Sequence, residues 1–171
     1  ILVGSESNST WGFARTLQQA LVAAGRKVHS APMNQLRSDY PKARQLLILT
    51  ATHGDGDAPA SASDFLARLQ QQPLAPDLKY AVLGFGDRQF PRFCGFAEQV
   101  QNALSASAAQ CLLPQENIHR QSPQEFRRWG QALGQALGLP LDLQHQARAL
   151  PCHEWQLVES VAYGDQVQAP T

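Results

Sequence analysis

Residues 45–52 read QLLILTAT, an apolar run without polar alternation that ends in two threonines. Such a run is typical of a central parallel strand whose two faces are both covered. Shorter runs of the same kind occur at residues 1–3 (ILV) and 80–83 (YAVL). Helix-like segments separate these runs, so strands and helices alternate along the chain. The sequence therefore predicts an α/β fold, with helices on both faces of a mostly parallel sheet.

The bounds of the predicted elements follow from residue spacing and from helix-ending residues. Phe13, Leu17 and Leu21 recur at helical spacing, and Gly25 follows as a stop signal. Ser122 and Glu125 are predicted to form a capping box at the start of the last helix. The predicted strands are residues 1–3, 27–31, 45–52, 80–83 and 111–113, and the predicted helices are residues 10–24, 61–71, 93–106 and 123–137.

The composition excludes several classes of protein. The 171 residues are 43% hydrophobic and 16% charged, as is usual for a globular domain. Fourteen basic residues balance fourteen acidic ones, so no overall field favours nucleic acid or an anionic membrane. No apolar stretch is long enough to span a bilayer. The three cysteines form no metal-binding or disulfide pattern, which favours a reducing compartment.

Three loops of unusual composition each follow an apolar strand. They are residues 5–10 (SESNST), 53–57 (HGDGD) and 84–90 (GFGDRQF). In open α/β sheets, ligands bind beyond the carboxyl ends of the strands, close to the point where strand order reverses. We therefore expect the three loops to converge on one edge of the sheet and to form a single binding site.

The first loop combines hydroxyl groups with the start of a helix. Ser5, Ser7, Ser9 and Thr10 supply hydrogen-bond donors, and the free N–H groups of a helix N-terminus favour an anion. The loop contains no lysine or arginine, so neutral donors would bind the anion, which suits a single phosphate. It is neither a Walker motif nor GxGxxG. An ordinary serine-rich helix cap is the alternative interpretation.

The second and third loops combine glycines, planar side chains and carboxylates. The glycines allow the backbone to approach a flat ligand, and His53 and Phe90 are able to stack on its two faces. Asp55, Asp57 and Asp87 would disfavour a negative charge on that ligand. An exposed loop histidine and a core phenylalanine are the alternative interpretations. The joint occurrence of three such loops at matching positions favours a binding site.

These loops resemble the FMN-binding loops of flavodoxin domains in diflavin reductases, above all those of sulfite reductase flavoproteins. The motifs are GSESNS at residues 4–9, TATHGDGD at 50–57 and LGFGDRQF at 83–90. Pro59 and the pair Phe93-Cys94 complete the second and third motifs. The resemblance covers residues 1–137. It implies bound FMN and a flavodoxin-like, three-layer, doubly wound sandwich with a five-stranded parallel sheet in the order 2-1-3-4-5.

The resemblance also implies which residues contact FMN. The first loop would bind the phosphate, and the second and third loops would line the two sides of the isoalloxazine ring. No catalytic acid or base and no metal is implied, because the domain binds the cofactor and adjusts its redox states. The residues carried over are Ser5, Glu6, Ser7, Asn8, Ser9 and Thr10 for the phosphate, Thr52, His53, Gly54, Asp55 and Gly56 for one side of the ring, and Gly84, Gly86, Asp87, Phe90, Phe93 and Cys94 for the other.

Three positions depart from the family pattern. Asn8 replaces a glycine, and asparagine tolerates a left-handed backbone better than most residues. His53 and Phe90 replace tyrosines and keep the ability to stack. The balanced net charge also differs from that of acidic free flavodoxins. It suits a partner in the same polypeptide, since tethering reduces the need for electrostatic steering.

The sequence changes character after Gly138. Residues 1–138 are the predicted FMN domain, residues 139–152 a linker, and residues 153–171, which include WQLVESV, the start of an FAD- and NADPH-binding reductase module. The start at Ile1 suggests a piece of a longer protein. The expected partners are that module and an acceptor protein or ferric complex, and no nucleic acid. The expected location is the cytoplasm, or the cytoplasmic face of a membrane protein whose anchor lies outside this piece.

Together these features predict an oxidoreductase domain that relays single electrons from FAD to a haem, an iron–sulfur centre or ferric iron. Two alternatives stay open, namely a free flavodoxin-type carrier and a flavodoxin-like interaction module that no longer binds FMN. A hydrolase is disfavoured because no nucleophile and base have suitable spacing. A zinc site is disfavoured because the histidines and cysteines match no ligand spacing.

Overall fold

A parallel sheet lies between two helical layers in the computed structural model, which describes residues 1–7, 9–37 and 42–146. Short 3-10 turns occur at Met33–Gln35 and Ala60–Ala62. The strands are β1 (Leu2–Gly4), β2 (Ala31–Pro32), β3 (Gln45–Ala51), β4 (Lys79–Gly86), β5 (Gln110–Cys111) and β6 (Glu116–His119). The helices are α1 (Ser9–Ala23), α2 (Phe65–Gln71), α3 (Gly95–Ser105) and α4 (Pro123–Leu137).

The order of the strands is β2-β1-β3-β4, and both β5 and β6 pair with β4. Strand β5 lies beside Lys79 and Tyr80, whereas β6 lies beside residues 83–86. The two short strands therefore form one interrupted fifth position, and the predicted order 2-1-3-4-5 is confirmed. Strand order reverses between β1 and β3, so the carboxyl ends of these two strands mark the place where a ligand is expected.

Each face of the sheet has its own hydrophobic core. On β3, Leu46 and Ile48 pack on the side of α2 and α3, while Leu47 and Leu49 pack on the side of α1 and α4. Each of these side chains is buried. Because both faces are covered, the strand needs no polar alternation, which explains the apolar run. Full burial of one such side chain contributes roughly 1.5–3 kcal/mol.

Several element bounds differ from the predictions. The second strand is Ala31–Pro32 rather than residues 27–31, and helix α2 begins at Phe65 after a 3-10 turn. Helix α3 begins at Gly95 because Cys94, at φ 56°, has a left-handed backbone. Strand β6 was not predicted, because only Ile118 of its four residues is buried.

The predicted capping box of α4 forms only in part. The Ser122 hydroxyl accepts a hydrogen bond from the Glu125 N–H at 3.3 Å, as expected for an N-cap. The Glu125 carboxylate instead accepts from the His119 N–H at 2.7 Å. Glu125 thus ties the start of α4 to the end of β6, and the second half of the box was predicted wrongly.

Residues 139–146, which we call the strap, follow α4 and pack back onto the domain. Leu141 and Leu143 are buried in the core on the α1 and α4 side. The His145 ring stacks on Phe13 with a centroid distance of 3.8 Å, and its Nδ1 lies 2.9 Å from Thr16 Oγ1. The described part of the predicted linker is therefore in contact with the domain.

The remainder of the predicted linker and the predicted start of a reductase module, residues 147–171, lie outside the described residues. Among the helices of the described part of the chain, none combines the length with the apolar character that crossing a bilayer requires.

Candidate functional site

A cavity of about 520 Å³ opens beyond the carboxyl ends of β1, β3, β4 and β6. Its volume falls within the range of roughly 300–1,000 Å³ that is usual for cofactor sites. Parts of the first and third predicted loops line it, together with the end of β3 and the turn that follows β6. The lining residues are Glu6, Ser7, Ser9, Thr10, Ala51, Thr52, Phe85, Gly86, Asp87, Arg120 and Gln121.

The first loop is fixed to the turn at Ala60–Ala62. The Ser5 N–H donates to Ser61 Oγ at 2.8 Å, and the Ser61 hydroxyl donates to the Ser5 carbonyl at 2.9 Å. The Glu6 carboxylate accepts from the Ala60 N–H at 2.8 Å. Ser5 lies outside the cavity lining. These contacts give Ser5 and Glu6 a role in holding the loop, and a contact of either residue with a phosphate stays a prediction.

The start of α1 supplies the groups that an anion requires. Ser7 Oγ and Ser9 Oγ lie 2.9 Å apart, and both residues line the cavity with Thr10. The first N–H groups of a helix have no acceptor within that helix. Thr52 Oγ1 is buried and has no hydrogen-bond partner among the described residues, although Thr52 lines the cavity. These donors and this unpaired hydroxyl fit a phosphorylated polar ligand such as FMN.

The second loop forms its own tight hairpin. His53 N–H donates to the Asp57 carbonyl at 2.9 Å, and Asp57 N–H donates to the His53 carbonyl at 2.8 Å. Gly56, at φ +100°, is buried, and a Cβ on it would lie 2.7 Å from Arg92 Cδ. Only Thr52 of the second-loop residues carried over lines the cavity. The others, His53, Gly54, Asp55 and Gly56, lie beyond it.

The third loop divides into a lining part and a packing part. Gly86 and Asp87 line the cavity. A Cβ on Gly84 would lie 2.8 Å from Ala97 Cβ, so this glycine makes room for α3 rather than for a ligand. Cys94 is buried among apolar side chains, and burial raises the pKa of its thiol to about 12. The structure gives Gly84 and Cys94 packing contacts, and neither residue lines the cavity, so their place beside the ring stays a prediction.

The two aromatic residues of the third loop differ in exposure. The Phe90 side chain is 55% exposed. Phe93 is half-buried, with the Arg88 guanidinium 5.6 Å from its ring centroid. Both lie outside the cavity lining, as does His53. The stacking of a ring between His53 and Phe90 stays a prediction, and Asn8 lies outside the described residues.

Sequence reasoning missed the turn after β6. Arg120 and Gln121 line the cavity with φ values of 47° and 58°, a conformation that non-glycine residues rarely adopt. Arg120 Nε donates to Asp87 Oδ2 at 2.8 Å. The N–H of Gln89 and then Arg120 lower the pKa of Asp87 by hydrogen bonding. Arginine and glutamine do not indicate a left-handed turn. Because β6 was not predicted, the sequence contained no local signal that this turn would line the cavity.

A larger cavity, of about 690 Å³, opens at the opposite edge of the sheet. Its lining includes the first residues of the strands, such as Leu2, Gln45 and Leu46, and none of the three loops. We assign the cofactor to the smaller cavity because hydroxyl groups and a helix N-terminus converge there. That cavity also lies at the edge where open α/β sheets bind their ligands.

Comparison with known proteins identifies the family. The family model described as Flavodoxin matches residues 1–149. The chain belongs to the flavodoxin family. Its structure superposes on a cysteine-to-alanine mutant of flavodoxin from Pseudomonas aeruginosa with a TM-score of 0.68 and 25% identity, covering 81% of this chain and 95% of that one. A flavodoxin from Streptococcus pneumoniae TIGR4 gives a TM-score of 0.69 at 20% identity, covering 80% of this chain and 95% of that one.

Curated relatives include two kinds of reductase. This flavodoxin domain is 36% identical over 118 residues to the sulfite reductase [NADPH] flavoprotein alpha-component of Shewanella sp. (strain MR-7), covering 67% of this chain and 19% of that protein. It is 31% identical over 133 residues to inducible nitric oxide synthase of Rattus norvegicus, covering 75% of this chain and 12% of that protein. The chain thus spans a fifth or less of these relatives. It is a flavodoxin-like, FMN-binding electron-transfer domain similar to those of diflavin reductases, which confirms the resemblance.

Proposed function

We propose that this flavodoxin domain is the output module of an NADPH-dependent diflavin reductase. It relays single electrons from FAD, in a module of the same polypeptide, to a haem, an iron–sulfur centre or ferric iron. The supporting observation is the pattern of identity. The domain is 36% and 31% identical to parts of two much longer reductases, against 25% and 20% to the two solved free flavodoxins.

The residues of the site have distinct tasks in this function. FMN, when bound, supplies a group that accepts electrons and passes them on singly. The hydroxyls of Ser7, Ser9 and Thr10 bind its phosphate at the start of α1. The Thr52 hydroxyl, which has no hydrogen-bond partner among the described residues, forms a hydrogen bond with the ligand. Phe90, exposed in the third loop, gives an acceptor or a reductase module an apolar contact. No acid or base is required.

The experiment has two steps. The full 171-residue chain is titrated with FMN and followed by flavin fluorescence, and we expect about one FMN per chain. The full-length polypeptide is then mixed with NADPH without oxygen, and reduction of its bound flavins is followed by absorbance. The 171-residue chain loaded with FMN is the control, and it should not be reduced by NADPH directly.

The outcomes separate this function from its alternatives. A chain that takes up no FMN would be an interaction module, and the proposal would be wrong. Uptake of FMN combined with a full-length protein that lacks FAD would identify a free carrier. The free carrier is the second candidate, because the described fold covers 95% of the Pseudomonas aeruginosa flavodoxin. A free carrier should accept electrons from a separately added reductase in a reaction that depends on the concentrations of both proteins.

A further inference from the structure

The turn that follows β6 places the cationic residue Arg120 in the lining of the cavity. Its ends are joined by a hydrogen bond from the Ser122 N–H to the His119 carbonyl, at 3.1 Å. The Arg120 N–H donates to the Gly86 carbonyl at 2.9 Å, which fastens the turn to the end of β4. The two inner residues, Arg120 and Gln121, have positive φ. This backbone conformation is uncommon for residues other than glycine, and here it is held by the two hydrogen bonds of the turn.

Arg120 is the one cationic side chain among the described residues that line this cavity. Its charge faces a site whose other donors are neutral hydroxyls and backbone N–H groups. Of the two acidic lining residues, Glu6 is bonded to the Ala60 N–H and Asp87 is paired with Arg120. The negative charges of the lining are thereby already engaged by the protein.

The ion pair with Asp87 leaves most of the guanidinium available. The bond at 2.8 Å uses Nε of Arg120, and a guanidinium has five N–H donors. Asp87 thus acts as a brace that orients the arginine, and the remaining donors can form the forked contact by which arginine recognises phosphate. A phosphate monoester carries a charge between about −1.5 and −2 near neutral pH, so a cation beside the neutral donors adds an attraction that riboflavin, which has no phosphate, does not receive.

We propose that Arg120 is a phosphate-recognition residue of this site and makes it selective for the phosphorylated flavin over riboflavin. The inference rests on the proposed binding of FMN and adds a cation that the first loop lacks. Ser7, Ser9 and Thr10 hold the anion from the helix side, and Arg120 holds it from the turn. Because the Arg120 side chain is 56% exposed, its contribution is moderate and depends on salt.

The test compares the affinities for FMN and riboflavin, measured by flavin fluorescence at low and near-physiological salt. Arg120→Gln removes the charge and keeps a long polar side chain, but it also takes the cation away from the Asp87 carboxylate, which keeps its hydrogen bond from the Gln89 N–H. Asp87→Asn and the double variant Asp87→Asn/Arg120→Gln therefore complete the set, so that the effect of Arg120 is read without a carboxylate that has lost its cation. Arg88→Gln is the matched control, since Arg88 is a neighbouring exposed cation outside the cavity lining.

We expect Arg120→Gln to weaken FMN binding about tenfold, in the Asp87→Asn background as well, and to change riboflavin binding less than twofold. The salt dependence of FMN binding should fall in parallel, and Arg88→Gln should keep the wild-type preference. Equal loss for both flavins, no loss for either, or the same selective loss in Arg88→Gln would overturn the role of Arg120 while leaving FMN binding intact. A wild-type chain that binds neither flavin would contradict this role and the proposed function together.

Discussion

Helix α1 contributes to two regions that are built in different ways. At its first turn, Ser9 and Thr10 face the cavity, where the groups are polar and the neighbouring turn is left-handed. One and two turns later, Phe13 and Thr16 contact the strap, residues 139–146, through ring stacking and a hydrogen bond. The cavity contains an unpaired hydroxyl. The strap groove, by which we mean the surface of α1 and α4 that Leu141 and Leu143 cover, is instead filled with apolar side chains.

The comparison indicates that the strap groove contributes to the stability of the fold, whereas the cavity provides groups that can bind a ligand. Polar groups without partners destabilise the empty protein but become available to a ligand. Packed apolar side chains stabilise the folded state, but they are not accessible to a ligand. Substitutions in the strap groove should therefore change the free energy of unfolding and leave flavin affinity unchanged. Substitutions in the cavity should do the reverse.

The largest effect is expected from Leu143→Ala. The Leu143 side chain is fully buried against α4, and truncation of such a residue removes about 3 kcal/mol from the free energy of unfolding. The measurement is denaturant unfolding followed by circular dichroism. Gln146→Ala, at an exposed position of the same strap, is the control and should change that free energy by less than about 0.5 kcal/mol. A Leu143→Ala variant with weakened FMN binding would show that the two regions are coupled.

The second effect concerns Gly130, whose missing side chain makes room for Leu143. A Cβ at this position would lie 2.5 Å from Leu143 Cγ and Cδ1, so Gly130→Ala forces the strap to move and destabilises the fold by about 1–2 kcal/mol. In the Leu143→Ala background the two contacts at 2.5 Å are removed, and only the contact at 3.1 Å to the Cβ of residue 143 remains, which a small shift can relieve. There, the same substitution should be neutral or stabilise by up to about 1 kcal/mol, because alanine favours a helix more than glycine does. Equal effects in both backgrounds would mean that the glycine does not serve the strap.

Thr52→Val should have the opposite pattern to the substitutions in the strap groove, because it should weaken flavin binding without lowering stability. Thr52 Oγ1 is buried without a partner among the described residues, so its removal should leave the free energy of unfolding unchanged or raise it by up to about 1 kcal/mol. FMN binding should weaken several-fold, as the ligand loses a hydrogen-bonding group. Unfolding and flavin titration of the same preparation give both numbers. A loss of stability with unchanged FMN affinity would show that the Thr52 hydroxyl stabilises the fold and does not contact the ligand.

The sequence predicted the parts of this contrast that depend on local pattern. The apolar runs at residues 45–52 and 80–83 indicated strands covered on both faces, and the loops that follow them indicated the edge with the cavity. Strand β6 escaped because only Ile118 of its four residues is buried, so it lacks an apolar run. Without that strand, nothing indicated that Arg120 would reach the cavity, and its residue type does not signal a positive φ.

The strap escaped for a different reason. Its residues have the composition of a linker. Their burial depends on space left by Gly12 in α1 and Gly130 in α4, two helices that are far apart in the sequence. A Cβ on Gly12 would lie 3.2 Å from the His145 ring, and the sequence contains no local trace of that proximity. Close packing between segments far apart in the chain is information that periodicity does not carry.

The smallest effect is a pH dependence of stability that originates in the strap. Burial lowers the pKa of His145 below its ordinary value of 6.5, so the unfolded chain binds a proton at this residue more readily than the folded chain does. As the pH falls through that value, the free energy of unfolding should decrease, and the decrease should level off once folded His145 is also protonated. His145→Phe keeps a ring against Phe13 and should remove this part of the pH dependence. Denaturant unfolding at pH 7.5, 6.5 and 5.5 measures it, with His53→Phe, at an exposed loop position, as the control. If His145→Phe and wild type lose stability in parallel on acidification, the strap histidine is not the group that responds.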